Sequence, residues 1–206
     1  MFDAQIRPLM DRLLNPVGRS LAARGMKANH VTIIGVFFGL AAAVSVVFQL
    51  FDIAFWLILL NRVADGLDGA VARASMTTDF GGYLDIVCDI LFYSAIPFAF
   101  AVALPENSLA SAFLIFSFIG TASSFLAFAI IAEKHNISTE IRGKKSFYYL
   151  GGLTEGGETI LLLLAMVIWP SYFILMAFGF GLLCWVTTIT RIYAAYRQFS
   201  LSLIHI

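Results

Sequence analysis

Four aspartates stand at helical intervals in a stretch that is otherwise largely apolar: Asp65, Asp68, Asp85 and Asp89. On an α-helix, residues three or four positions apart share a face, so Asp65 pairs with Asp68 and Asp85 pairs with Asp89. Two facing helices would bring the four carboxylates into one polar pocket. Because all-oxygen ligands suit hard divalent cations such as Mg²⁺ or Mn²⁺, the spacing predicts a metal site.

The rest of the chain has the composition of a membrane protein. Its 206 residues are 60% hydrophobic and 13% charged, whereas soluble domains are about 45–50% apolar and about 25% charged. A charged side chain deep in a bilayer costs roughly 2.5 kcal/mol or more, so aspartates kept there indicate function. The net charge of zero disfavours nucleic acid as a partner. Cys88 and Cys184 lie in apolar segments, and we interpret both as small buried side chains.

Six apolar segments approach the length of about 20 residues that a membrane-spanning helix needs. They are residues 31–51, 53–74, 82–104, 109–132, 158–169 and 172–193. The fifth is the shortest, and it approaches full length only if its helix begins near Thr154. We therefore predict an all-α, polytopic membrane protein with six transmembrane helices and one domain over residues 1–200. Residues 201–206 are too short to span a membrane and carry no weight in this prediction.

The basic residues predict the orientation of the chain. The short connections after the first, third and fifth segments contain no Lys or Arg, so all 13 basic residues lie on the other side if the segments alternate. By the positive-inside rule both termini are cytoplasmic, which suits a bacterial inner membrane. Asp65 and Asp68 then lie at the cytoplasmic end of one segment, and Asp85 and Asp89 near the cytoplasmic start of the next. The predicted active site is therefore cytoplasmic.

The amino-terminal region has its own pattern. Residues 2–14 and 17–26 alternate apolar and charged positions with helical spacing, and Asn15 and Pro16 divide them. This is typical of an amphipathic helix that lies on the cytoplasmic membrane surface. The alternative interpretation is an ordinary basic segment that only sets the topology.

Small residues and an arginine accompany the aspartates. Gly69 and Ala72 share the aspartate face, where the lack of bulk lets a ligand approach the backbone. Arg73 ends the run, and its planar guanidinium is suited to holding a phosphate or a base. Two metal ions on the carboxylates would neutralise a pyrophosphate and stabilise both oxygens of an in-line displacement. A carboxylate partly free of metal would serve as general base towards a hydroxyl.

A longer pattern resembles the signature of the CDP-alcohol phosphotransferase (phosphatidyltransferase) family. It reads Asp65-x-x-Asp68-Gly69-x-x-Ala72-Arg73, then seven residues, then Gly81-x-x-x-Asp85-x-x-x-Asp89. Every fixed position is matched. Residues 28–32 (Ala-Asn-His-Val-Thr) are also similar to the family's entry to the first span, although Ala28 stands where proline is common. The motif resemblance covers residues 28–89, and the architecture resembles the family over most of the chain.

The resemblance implies a reaction in which a hydroxyl displaces CMP from a CDP-linked donor and forms a phosphodiester. By position, it makes Asp65, Asp68 and Asp85 metal ligands, and Asp89 both a metal contact and the catalytic base. It also places four residues at the CDP site: Gly69, Ala72, Arg73 and Gly81. It further implies a homodimer. We expect Mg²⁺ or Mn²⁺, two ions in number, and CDP-diacylglycerol as the donor in phospholipid biosynthesis.

The acceptor is less well indicated by the sequence. Arg142, Lys144 and Lys145 lie in the most polar part of the chain, and they either bind an anionic acceptor or anchor that segment to anionic lipid. Glycerol 3-phosphate is the first expectation for a small hydroxyl acceptor. Inositol phosphate, inositol and serine stay open, as does transfer of a CDP-linked polar alcohol to diacylglycerol.

Two further alternatives stay open. A divalent-cation transporter, with the carboxylates as its transit site, is the alternative functional class. Asn61 and Arg62 lie one turn before Asp65, and they either support the site or pack at the membrane interface.

Overall fold

The computed structural model describes residues 3–134 and 153–201 of the chain. Across these residues it contains seven α-helices, two single 3₁₀ turns and no β-strand. The helices are α1 (Asp3–Ala23), α2 (Ala28–Val47), α3 (Phe51–Ala74), α4 (Asp79–Ala103), α5 (Ser108–Lys134), α6 (Gly156–Ile168) and α7 (Phe173–Leu201). The 3₁₀ turns, Pro105–Asn107 and Pro170–Tyr172, lead into α5 and α7. The all-α prediction is confirmed.

Four of these helices are long and apolar enough to cross a membrane: α2, α4, α5 and α7, the last two together with their 3₁₀ turns. The protein is therefore an integral membrane protein. α3 has 24 residues but carries a set of charged side chains, namely Asp52, Arg62, Asp65, Asp68 and Arg73. α6 has 13 residues, short of the roughly 20 needed to span a bilayer. The count of six spans accordingly stays a prediction.

α1 packs directly on α3. It continues through Asn15 and Pro16, where the sequence pattern divided the region into two stretches. Gly18 explains the close approach, because a Cβ there would lie 2.7 Å from the carbonyl carbon of Ala70. A contact this short admits only glycine. Packing against α3 therefore holds α1 beside the helix that carries Asp65 and Asp68. Its predicted position on the membrane surface stays a prediction.

The main apolar core lies between α2 and the five helices that follow it. Ile58 of α3, Phe100 of α4 and Leu163 of α6 are fully buried in it. Large apolar side chains also face outward, including Phe37 and Leu175, which are 67% and 71% exposed. A protein surface covered with such side chains is unfavourable in water and suits hydrocarbon. The helices thus bury apolar side chains inside and present others to lipid.

Candidate active site

A small cleft lies where α2, α3 and α4 meet. All four motif aspartates line it, together with Thr32, Gly35, Val36, Asn61, Arg62 and Cys88. α3 contributes the first aspartate pair and α4 the second, as helical spacing predicts. α4 begins at Asp79 because the hydroxyl of Thr78 accepts a hydrogen bond from the Gly81 amide at 3.1 Å, which caps the helix. Asp85 and Asp89, six and ten residues after this start, line the cleft.

Three of the carboxylates form a compact group. One oxygen from each of Asp65, Asp85 and Asp89 can be chosen so that all three lie within 4.8 Å of one another. Ligands on opposite sides of a cation are roughly 4–5 Å apart, because hard divalent ions bind oxygen at about 2.0–2.6 Å. The spacing and the oxygen-only donor set therefore fit Mg²⁺ or Mn²⁺.

Asp68 lies in the same cleft but is directed towards α2. Its Oδ2 accepts a hydrogen bond from the Thr32 hydroxyl at 2.6 Å, and the residue is 6% exposed. Thr32 Oγ1 also lies 3.2 Å from the carbonyl oxygen of Ala28 in its own helix. The short bond ties α2 to α3 and fixes the orientation of a buried carboxylate. Asp68 thus stands beside the group of three rather than within it.

Arg62 is a member of the site. Its Nη1 lies 3.0 Å from Oδ1 of Asp89 and 3.6 Å from Oδ2 of Asp65. Its Nε donates to Oδ1 of Asn61 at 2.8 Å, and Nδ2 of Asn61 donates to the Gly35 carbonyl oxygen at 2.8 Å. Of the two interpretations that the sequence allowed for Asn61 and Arg62, the structure supports the one in which they support the site.

A glycine on α2 makes room for this arrangement. A Cβ at Gly39 would lie 2.7 Å from Cδ2 of Phe92, inside van der Waals contact. The Phe92 ring in turn lies beneath the Arg62 guanidinium, with 4.6 Å between Cζ and the ring centroid. The missing side chain on α2 therefore permits the aromatic support of Arg62.

Arg73 occupies a different place from the carboxylate cleft. Its Nη2 donates to Oδ1 of Asp11 at 2.8 Å and to Oδ1 of Asn15 at 3.1 Å, both on α1. A surface groove lies beside it and is lined by Asn15, Arg19, Ala70, Arg73 and Ala74. In this structure Arg73 therefore joins α1 to the end of α3.

The other residues predicted at the CDP site also lie outside the lining of the carboxylate cleft. Gly69 faces the Arg73 side chain, Gly81 lies in the first turn of α4, and Ala72 is half-buried near the end of α3. Their role towards CDP stays a prediction. The predicted acceptor residues Arg142, Lys144 and Lys145 lie outside the described residues.

The two cysteines differ from each other. Cys184 is buried, as predicted, but Cys88 is half-buried and lines the cleft. The interpretation of Cys88 as a buried core residue is wrong, because its position three residues after Asp85 puts it on the aspartate face of α4. Helical spacing alone, applied to every residue between the aspartates, would have placed it in the site.

A comparison with protein families places most of the described helices within one family model. The family model for CDP-alcohol phosphatidyltransferase matches residues 26–196, which include all of α2 to α6 and most of α7. The chain belongs to the CDP-alcohol phosphatidyltransferase family. The predicted family and enzyme class are thereby confirmed, and the four cleft aspartates lie within the matched residues.

Two curated relatives of this phosphatidyltransferase match nearly the whole chain. The inner membrane protein YnjF of Escherichia coli K12 is 47% identical over 197 residues, which cover 95% of this chain and 96% of the relative. The archaetidylinositol phosphate synthase of Pyrococcus horikoshii is 28% identical over 201 residues, covering 95% and 97%.

Solved structures share the fold. The phosphatidylinositol phosphate synthase of Mycobacterium tuberculosis with CDP-DAG bound has a TM-score of 0.70 and 21% identity, covering 90% of this chain and 94% of that one. The same enzyme in complex with manganese and citrate has a TM-score of 0.67 and 21% identity, covering 89% and 88%. Since both identities are low, these matches bear on the fold alone.

Proposed function

We propose that this protein transfers a phosphatidyl group from CDP-diacylglycerol to the hydroxyl of a phosphorylated polyol and releases CMP. The observation that carries the proposal is the group formed by Asp65, Asp85 and Asp89, in a member of an enzyme family that acts on CDP-alcohols. A solved relative of the same fold has CDP-DAG bound, which supports a diacylglycerol-linked donor.

The carboxylates are proposed to hold two divalent ions. Asp65, Asp85 and Asp89 would bind one ion between them, and Asp68 would complete the set for a second. When bound, the ions neutralise the pyrophosphate and stabilise the leaving CMP. Manganese is present in one structure of the same fold, which supports Mn²⁺ beside Mg²⁺ as the ion.

Asp89 is proposed as the catalytic base. Its carboxylate takes the proton of the acceptor hydroxyl while the acceptor oxygen forms a bond to the β-phosphorus, the phosphorus bonded to diacylglycerol. The bond between that phosphorus and the oxygen bridging to CMP breaks, and CMP leaves with the bridging oxygen. Asp89 is fixed for this purpose by Arg62, whose Nη1 lies 3.0 Å away.

The acceptor is proposed to be a phosphorylated polyol. Glycerol 3-phosphate is the first acceptor that we expect from the sequence. Two relatives are named for products that contain inositol phosphate, which favours inositol phosphate as a second acceptor to test. Arg142, Lys144 and Lys145 are the candidates for binding the acceptor's phosphate group, and Gly69, Ala72, Arg73 and Gly81 for binding the CDP group.

The membrane topology is also a proposal. α3 and α6 would join the four apolar helices to make six spans, with both termini and the cleft on the cytoplasmic side. A relative described as an inner membrane protein supports the bacterial inner membrane as the location. α1 would lie on the inner membrane surface, and the protein would act as a homodimer.

Release of CMP by the purified protein tests the proposed function. With CDP-diacylglycerol and either glycerol 3-phosphate or inositol phosphate, we expect CMP to appear only when Mg²⁺ or Mn²⁺ is present and to stop after addition of EDTA. Full transfer in metal-free buffer would refute the metal site. Cation flux into proteoliposomes without CMP release would instead support the transporter alternative.

A further inference from the structure

Arg62 is a cation in a cleft whose carboxylates are predicted to bind cations. The side chain is 11% exposed, and one nitrogen reaches towards two of the three grouped carboxylates, those of Asp65 and Asp89. Four aspartates and one arginine line the cleft, so the guanidinium balances one of four negative charges when all are ionised. A divalent ion held by the same carboxylates would lie close to this permanent positive charge.

The surroundings of Arg62 hold it in one place. Asn61 accepts from its Nε and is itself anchored to the Gly35 carbonyl oxygen on α2. The rings of Phe92 and Tyr93 lie 4.6 Å and 5.4 Å from Cζ, and the Tyr93 hydroxyl is 3.3 Å from Nη1. A guanidinium held by hydrogen bonds from one side and aromatic faces from another is pre-organised rather than free to follow a ligand.

The same group restrains Asp89. Oδ1 of Asp89 lies 3.0 Å from Nη1 of Arg62, and its Oδ2 accepts a weaker bond from the Tyr93 hydroxyl at 3.4 Å. Charge-assisted bonds to a planar guanidinium fix both the distance and the plane of a carboxylate. The orientation of the Asp89 carboxylate is therefore set by Arg62 of α3 and by Tyr93, one turn further along α4.

We propose that Arg62 is a positioning residue for phosphatidyl transfer: it orients Asp89, and as a fixed cation it lowers the affinity of the cleft for divalent metal. The inference rests on the proposed function for its catalytic part. Without Arg62 the carboxylates would attract an ion more strongly, since like charges repel, but Asp89 would lose its orientation. Metal affinity and turnover should then change in opposite directions.

The experiment compares Arg62→Gln, Arg62→Lys and the control Arg24→Gln, which removes an exposed cation beyond the end of α1. Mn²⁺ binding to the full chain in detergent is measured from the loss of the free Mn²⁺ electron paramagnetic resonance signal, without donor. The kcat for CMP release and the thermal midpoint are measured on the same samples. Removal of a neutral outer partner of a metal ligand commonly costs about 10–100-fold in metal affinity or activity, whereas removal of the cationic Arg62 should raise the affinity because it also removes a repulsive charge.

We expect Arg62→Gln to bind Mn²⁺ about tenfold more tightly, because a positive charge close to the bound ion is removed. We expect it to lose about 10–100-fold in kcat, the usual cost of removing an outer partner of a metal ligand. Arg62→Lys keeps the charge but not the planar fork, so it should bind Mn²⁺ as the wild type does and still have a lowered kcat. Arg24→Gln should match the wild type in both measurements.

Unchanged or weaker Mn²⁺ binding in Arg62→Gln would overturn the inference, as would a wild-type kcat in Arg62→Lys. A lower thermal midpoint without tighter Mn²⁺ binding would also overturn it, since Arg62 would then only join α3 to α4. If Arg62→Gln does not fold, the kcat and Mn²⁺ affinity of Arg62→Lys decide. A wild-type protein that releases no CMP would refute the proposed function separately, because Mn²⁺ binding needs no donor.

Discussion

Thr32→Val removes the hydroxyl that holds Asp68 and changes little else. Valine has nearly the same shape as threonine, so packing of α2 on α3 is retained while the 2.6 Å bond to Oδ2 of Asp68 is lost. Hydrogen bonds to charged groups contribute about 1.5–3 kcal/mol, and Asp68, at 6% exposure, has little water to replace the lost donor. Each 1.4 kcal/mol changes an equilibrium constant about tenfold, so losing this hydrogen bond corresponds to a change of about 10–100-fold in an equilibrium constant that depends on it.

The loss should appear first in metal and donor binding. A carboxylate that no longer has its orienting donor must be reordered when the ion binds, and such outer partners commonly contribute about 10–100-fold in metal affinity. We therefore expect the Kd for Mn²⁺ to rise by about 10–100-fold and the KM for CDP-diacylglycerol to rise with it. Titration of free Mn²⁺ by electron paramagnetic resonance and initial rates of CMP release at saturating metal measure the two effects.

Two variants serve as controls for this prediction. Thr32→Ser keeps the hydroxyl and should restore most of the affinity. Thr188→Val removes a buried hydroxyl of α7 that donates to the Cys184 carbonyl oxygen within its own helix, and it should leave Mn²⁺ binding unchanged. If Thr32→Val binds Mn²⁺ and donor as well as the wild type, Asp68 does not depend on α2 for its orientation, and the reasoning from the 2.6 Å bond fails.

Two further predictions concern the base and the topology. Asp89→Asn should retain metal-dependent donor binding but lose about 10²–10⁴-fold in transfer rate, because an amide cannot take the acceptor proton. A near wild-type rate for this variant would place the base elsewhere. Asp68→Asn should instead weaken metal binding and donor binding together. For the topology, single cysteines are placed in a chain without its native cysteines. A membrane-impermeant maleimide applied to intact cells should label Glu106→Cys, before α5, but not Asp79→Cys, at the start of α4. The reverse labelling would overturn the proposed orientation.

Spacing along the helices predicts the central part of the site. Asp65, Asp85 and Asp89 meet because three- and four-residue intervals on two neighbouring helices leave few other arrangements. The same intervals do not decide what Arg62 does, since a long side chain one turn from an aspartate can turn to solvent, to lipid or to the carboxylates. The direction of the Arg62 side chain depends on Asn61 of α3 and on the ring of Phe92 of α4, and the spacing along one helix does not show how these two meet.

Helix boundaries are likewise predictable where local signals decide them, and not where contacts with other helices do. The starts of α3 and α5 lie within two residues of the predicted spans, because apolar composition and turn residues are local signals. α1 runs through Pro16, against the local signal, since the contact between Gly18 and Ala70 of α3 stabilises it. The bond from Arg73 to Asp11 on α1 was likewise beyond prediction, because it joins residues that are distant in sequence.

The charges of α3 have a consequence for how the protein is made. Under the proposed topology, Arg62, Asp65 and Asp68 must enter the bilayer within one helix, towards its cytoplasmic end. The cost of each charge on its own has an upper bound of about 2.5–3.5 kcal/mol, the cost at mid-membrane. The groups that lower this cost belong to neighbouring helices: Thr32 of α2 bonds Asp68, and Asp89 of α4 pairs with Arg62. α3 is therefore expected to enter the membrane together with α2 and α4, so the contacts that build the active site also let the newly synthesised helix stay in the bilayer.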